Sequence, residues 1–166
     1  MNLSALTIQN IEEARRWRNE DISGYRTPYF LTAEMQRDFY EEVICNKNSP
    51  HRYWAIVDNG FIGMGGITNI QWENRIGEIS LIIDPQKRNQ HLGEKAVELL
   101  LDAAFNQMGL KTVCGECYMN NPALPFWRWI VQKYGGFMTP LPNKKFWDGK
   151  FWNGLYFSID RERFKK

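Results

Sequence analysis

The chain has few of the residues that hold metals or disulfides: three cysteines and two histidines in 166 residues. Cys45, Cys114 and Cys117 are an odd number and too few for a disulfide framework. Cys114-Gly115-Glu116-Cys117 is a C-x-x-C, but it falls in a run that reads as a strand, where residues three apart face opposite ways. No second Cys or His pair accompanies it, so buried thiols are expected and no metal site is. Long apolar runs are also missing. No stretch approaches the roughly 18 consecutive apolar residues of a membrane span, and Met1 to Asn10 carries no basic segment ahead of a long apolar one. A cytoplasmic protein without a membrane partner is expected. An excess of one charge is absent too: the net charge is +2, so composition does not call for nucleic acid and any anion site must be local. There are no repeats, low-complexity tracts or linkers, and the length suits a single domain, 1–166, with a sizeable core.

Aromatic residues are abundant instead, 14% of the chain with seven Trp, many of them after residue 126. That density suits a packed core or a substrate cleft rather than disorder. Leu3 to Ile8 reads as a strand, and Ile11 to Asn19 as a helix with Ile11, Ala14 and Trp17 or Arg18 on one face. Thr32 has the chemistry of an N-cap for a helix running to about Ile44. The connection between them, Asp21 to Leu31, is irregular and rich in Gly, Pro and aromatics, a composition common in binding segments. Arg52 to Val57, the turn Asp58-Asn59-Gly60 and Phe61 to Asn69 predict a hairpin, and Glu78 to Asp84 a third antiparallel strand. The period then changes: Leu92, Ala96, Leu99, Leu100 and Ala103 make one helical stripe, ended by Met108-Gly109. Lys111 to Tyr118 is a further strand, and the intervening helix makes it parallel to Glu78 to Asp84 through a right-handed crossover. Pro122 to Tyr134 reads as the last helix, stopped by Gly135-Gly136, and Phe146 to Trp152 as a hairpin around Asp148-Gly149. The predicted fold class is α/β: a mixed, mostly antiparallel central sheet with a splayed parallel pair in the middle, flanked by helices.

Between the third strand and the crossover helix lies Arg88-Asn89-Gln90-His91-Leu92-Gly93. A strand feeding a short turn into a helix N-terminus aims unpaired backbone N–H groups and the positive end of the helix dipole at one point, which favours an anion. The spacing is neither the phosphate loop of an NTPase nor the glycine pattern of a dinucleotide fold. It resembles the [Q/R]-x-x-G-x-[G/A] loop of the GNAT N-acetyltransferase superfamily, with Arg88 first, Gly93 last and His91 where a glycine usually stands. Two further patterns follow the family. One is Asn120-Asn121-Pro122-Ala123 with Gly136-Phe137 downstream. The other is Trp17-Arg18-Asn19 with Thr32 and Glu34, similar to the subgroup acting on ribosomal-protein N-termini, polyamines or amino sugars. Between Asn120 and Gly136 the chain has about one helical turn more than the family pattern. Trp127 therefore takes the spacing of the family's tyrosine, and Tyr134 is the nearest hydroxyl toward Gly136.

The resemblance implies a GNAT fold, acetyl-CoA as co-substrate, no metal, and direct acetyl transfer to a primary amine. The acceptor would be a small molecule (an amino sugar nucleotide or a polyamine) or a protein N-terminus, and the enzyme a monomer or homodimer. It puts the pantetheine arm along the backbone of Leu81, Ile82 and Ile83, and the pyrophosphate at the amides of Asn89, Gln90, His91, Leu92, Gly93 and Glu94, with Arg88 adding charge. Asn120 or Asn121 would bond the pantetheine or an ordered water, unless they serve only as helix caps. An alkyl ammonium with a pKa of about 10.4 must lose a proton before it attacks, so a carboxylate near the cleft is expected as base, and Glu78 and Glu116 are the candidates. A backbone N–H of Ile82 or Ile83 would steady the developing oxyanion, and Tyr134 or Tyr118 would protonate the leaving thiolate. Arg18, Arg26 and Tyr29 suit an anionic or sugar acceptor; Asp21, Glu41 and Glu42 suit a polyamine. Two other readings compete. One is a non-catalytic acyl-CoA-binding regulatory domain on the same fold, suggested by His91 and the unaligned tyrosine. The other makes Lys144 to Phe157 a platform for single-stranded nucleic acid, aromatics stacking bases and lysines meeting phosphates.

Overall fold

Thr7 decides where the first strand stops. Its hydroxyl accepts from the Asn10 N–H at 3.3 Å, and its own N–H donates to Asn10 Oδ1 at 3.1 Å, a reciprocal cap. Strand β1 is therefore only Asn2–Ser4 and helix α1 runs Ile8–Glu20, which corrects the strand expected over Leu3 to Ile8. The structure, a computed structural model, describes residues 1–164; Lys165 and Lys166, included in the single-domain reading, lie outside the described residues.

Thr32 caps α2, Ala33–Phe39, by accepting from the Met35 N–H at 3.2 Å, and the helix continues as a π turn over Tyr40–Ile44. Strands β2 (Arg52–Val57), β3 (Phe61–Gln71) and β4 (Ile76–Ile83) form the expected antiparallel meander. Helix α3 (Leu92–Asp102), prolonged by a π turn over Ala103–Gln107, crosses to β5 (Thr112–Tyr118), which lies parallel to β4. Helix α4 (Leu124–Lys133) leads to the hairpin of β6 (Phe137–Trp147) and β7 (Lys150–Asp160). The hairpin extends well beyond the expected Phe146 to Trp152. Its tip is Asp148-Gly149 with φ of 52° and 73°, the paired left-handed conformation of a type I′ turn. The sheet order is β1-β2-β3-β4-β5-β7-β6, with one parallel step.

Helices pack on both faces. Val97, Leu100 and Leu101 of α3 and Ile130 and Val131 of α4 bury against Ile67, Ile79, Val113, Phe157 and Ile159. Under α1 and α2, a smaller cluster joins Leu6, Ile11 and Ala55 to Phe39, Tyr53 and Phe61. Each fully buried aliphatic or aromatic side chain contributes about 1.5–3 kcal/mol. Among the described residues no helix is long and apolar enough to cross a membrane.

Strands β4 and β5 pair only from Ile76 opposite Thr112 to Glu78 opposite Cys114. Beyond that point β4 stays paired with β3 as far as Ile83, and β5 stays paired with β7 as far as Tyr118. The two strands part in the middle of the sheet, each braced from its outer side.

Candidate active site

The gap between β4 and β5 opens into a cavity of about 570 Å³, within the range of small-molecule sites. Its walls come from both faces of the sheet: Arg18 of α1 and Phe39 of α2 on one, Trp127 of α4 and Phe157 of β7 on the other. The cavity thus passes through the sheet at the splay, with Glu78, Leu81 and Ile82 on the β4 side and Glu116 and Tyr118 on the β5 side.

The two carboxylates differ in their surroundings. Glu78 Oε1 accepts from Arg26 Nη2 at 2.7 Å and Oε2 from Asn69 Nδ2 at 2.8 Å. The Asn69 N–H in turn donates to His51 Nδ1 at 3.1 Å, and burial, aided by the Arg52 charge, holds the His51 pKa below its ordinary value so that the ring is available as an acceptor. Glu116 has a buried Oε1 that meets no donor among the described residues, and its Oε2 lies 3.7 Å from Lys144 Nζ, a loose ion pair. Of the C-x-x-C thiols, Cys117 is buried and pushed up to about 11, and burial raises Cys114 as well, so both stay protonated near neutrality.

In the loop before α3, Asp84 caps a 3-10 turn over Pro85–Lys87, and Arg88 Nε reaches back to the Ile83 carbonyl at 3.4 Å. Asn89 and His91 both have left-handed backbones, φ 61° and 58°. This explains why a glycine fits position 91 more easily: a side chain there costs about 1–2 kcal/mol. The imidazole is largely exposed, 3.9 Å from Glu94 Oε2, and Glu94 is neutralised by Lys133 Nζ at 2.7 Å from α4. Gly93 has a packing reason, since a Cβ would stand 3.3 Å from the Phe126 ring where α3 meets α4.

Asn121 Oδ1 accepts from the Ala123 N–H at 2.8 Å while its Nδ2 donates to the Gly24 carbonyl at 3.0 Å, a turn-forming role. Asn120 Nδ2 donates to the Ser23 carbonyl at 3.0 Å, and its buried Oδ1 has no partner among the described residues. Tyr134 sits at the far end of α4, outside the cavity walls, with its ring 5.3 Å from that of Phe164. Trp127 lines the cavity in its place, stacked on Phe157 at 5.1 Å, and Tyr118 is the buried tyrosine there. Arg18 and Arg26 line the cavity; Tyr29, 51% exposed, does not, and neither do Asp21, Glu41 and Glu42.

One contributor escapes sequence reading altogether. Lys145 of β6 is only 6% exposed; its ammonium donates to the carbonyls of Ser23 and Tyr25, the latter at 2.9 Å, and lies 5.0 Å from the Tyr118 ring centre. Burial pushes its pKa down. With Asn120, Asn121 and Arg26, it straps down the irregular Asp21 to Leu31 segment, whose Tyr25, Arg26 and Thr27 line the cavity. Nothing about a lysine in a lysine- and aromatic-rich strand marks it as inward-facing.

Residues 1–124 match the family model described as an acetyltransferase (GNAT) domain. The chain belongs to the GNAT acetyltransferase family. The GNAT chain has no match among curated protein sequences. Among solved structures it is similar to the spermidine N-acetyltransferase of Vibrio cholerae in complex with CoA and spermine: 18% identity, 98% of this chain and 96% of that one covered, TM-score 0.86. It is also similar to the Vibrio cholerae spermidine/spermine N-acetyltransferase SpeG in complex with manganese ions: 18% identity, 98% and 94% covered, TM-score 0.80. These likenesses show the GNAT fold, and family membership makes the chain an acyltransferase.

Proposed function

We propose that this GNAT enzyme moves an acetyl group from acetyl-CoA to a primary amine, on a small molecule or a protein N-terminus, by direct attack inside the β4–β5 cleft and without a metal. The observation that carries this reading is the splay. Past Glu78, β4 has no strand partner on its β5 side, so the backbone of Leu81, Ile82 and Ile83 offers an open edge to an extended ligand. The amides from Asn89 to Glu94, at a turn and helix N-terminus, suit a pyrophosphate, with Arg88 adding charge. The unpartnered Asn120 Oδ1 suits an amide N–H of a pantetheine arm. A solved structure of the same fold is in complex with both CoA and spermine, in keeping with a CoA co-substrate and an amine acceptor. A cytoplasmic enzyme, monomeric or homodimeric, is part of this reading.

Acetyl-CoA supplies an activated acetyl thioester; the chain supplies proton handling and position. Glu116 is assigned as the base, because its buried Oε1 is without a donor and can accept the ammonium proton. Glu78, already holding Arg26 and Asn69, orients the amine. The amide of Ile82 or Ile83 faces charge developing on the carbonyl oxygen. Tyr118 is assigned as proton donor to the thiolate in place of Tyr134, which stands outside the cavity walls. A thiol of pKa about 8.5 needs little help, so Tyr118→Phe should cost less than about tenfold.

Thiol release at saturating acetyl-CoA, followed across pH, tests the assignment. Glu116→Gln should lower kcat by roughly a hundredfold or more, and Glu78→Gln should mainly raise the acceptor KM. If neither substitution changes the rate, the base lies elsewhere. Tight acetyl-CoA binding without turnover on a broad amine panel would instead support the regulatory-domain reading.

A further inference from the structure

Among the charged residues lining the cavity, one cation lacks a counter-ion and one carboxylate oxygen lacks a donor. Arg15 is neutralised by Glu12 at 2.6 Å, and Arg26 by Glu78 at 2.7 Å. Arg18 has no such partner: among the described residues it forms no ion pair, although it is half-buried and lines the cavity. Its contacts are neutral, with Nη2 donating to the carbonyl (3.0 Å) and hydroxyl of Thr27 and the guanidinium 5.0 Å from the Tyr25 ring centre. A partly desolvated cation without a counter-ion carries a standing cost that an anion would relieve. Burial accordingly lowers the Arg18 pKa, with only tyrosine hydroxyls to oppose it. A guanidinium fork also suits the planar or tetrahedral oxygens of carboxylate and phosphate better than any neutral group. On the β5 wall, Glu116 Oε1 is the complementary vacancy, a carboxylate oxygen lacking a donor.

Resting on the transferase reading above, we propose that the acceptor is zwitterionic: its amine meets Glu116, and an anionic group on the same molecule, carboxylate or phosphate, is held by Arg18. A polyamine carries only the first half of that pattern. The acidic residues expected to receive one, Asp21, Glu41 and Glu42, lie outside the cavity walls. Arg18 is thus the residue that would set the preference for an acceptor carrying an anionic group.

Matched amines test this with the intact enzyme at saturating acetyl-CoA: ethanolamine against phosphoethanolamine, alaninamide against alanine, glucosamine against its phosphate, and spermidine alone. The anionic member of at least one pair should be turned over about tenfold or more better than its neutral partner, and better than spermidine. The winning pair also distinguishes phosphate from carboxylate. Arg18→Gln should raise KM for the preferred anionic amine about thirtyfold with kcat little changed, Arg18→Lys should restore part of the loss, and KM for the neutral member of the pair should rise several-fold less. Preference for neutral amines or spermidine, or an Arg18→Gln enzyme with unaltered KM, overturns this inference while leaving the transferase intact. Thiol release from no amine at all, with acetyl-CoA bound, overturns both.

Discussion

Lys145→Met isolates what the strap does. Methionine preserves the length and packing of the lysine stem while deleting the ammonium that bonds the Ser23 and Tyr25 carbonyls. Bonds from a charged donor contribute about 1.5–3 kcal/mol each, and the two carbonyls are left to find water. Against that stands the cost of burying the ammonium, which the substitution removes. The net loss should be about 2 kcal/mol, confined to the strap, because Lys145 does not belong to the apolar clusters of either face. Local opening then becomes about thirtyfold more frequent. Amide hydrogen exchange reads this directly at Tyr25, whose N–H donates to the Ile22 carbonyl at 3.3 Å, and at Tyr29, bonded to the Thr27 carbonyl at 2.9 Å. Strand β3 serves as the internal control, and the acceptor KM should rise while acetyl-CoA affinity holds. Unchanged exchange at Tyr25 and Tyr29, or acceleration shared equally by β3, would refute the strap.

Three further outcomes are expected. His91→Glu should weaken CoA binding in calorimetry by about tenfold, since it adds like charge beside the proposed pyrophosphate site and next to Glu94; equal affinity would mean that no phosphate lies there. His51, whose folded pKa is depressed, contributes stability that is fully present above its unfolded pKa of about 6.5 and is lost as pH falls through the folded value. His51→Gln, which can still accept from Asn69, should therefore flatten the acid side of the Tm profile, and parallel profiles would count against the linkage. Gly115→Ala would drive a methyl into the Phe157 ring and should cost about 1–3 kcal/mol in urea unfolding; an unmoved midpoint would show that the core gives way there.

Where one local rule governed the chain, the sequence was readable. Apolar spacing located α3, and the change of period placed β4 beside β5 in parallel, from which the cleft follows. The turn before α3 lies where its residues suggested, and the left-handed backbone at position 91 accounts for the glycine usual there. Elsewhere two rules competed. Thr7 ended β1 early because asparagine, not the usual glutamate or glutamine, completes its cap. Pro140 and Pro142 hid the first half of β6, since proline argues against a strand; β6 tolerates them as the sheet edge, where only β7 needs its hydrogen bonds. The unequal standing of Glu78 and Glu116 was invisible, as it depends on Arg26 and Asn69, 52 and 9 residues from Glu78. Tyr134 was proposed as acid on spacing alone, and spacing says nothing about which side of a helix end faces the cavity.

The bracing of β5 also makes one wall of the cavity depend on a distant strand. Its pairing with β4 is three residues long, whereas β7 pairs with it along its whole length, from Thr112 opposite Asp160 to Tyr118 opposite Gly154. Without β7, the meander of β2, β3 and β4 keeps its own pairing while β5 is left with its short pairing to β4, so the wall bearing Glu116 and Tyr118 depends on a strand that does not pair with the meander. Disrupting β7 should therefore abolish the cavity while sparing much of the scaffold.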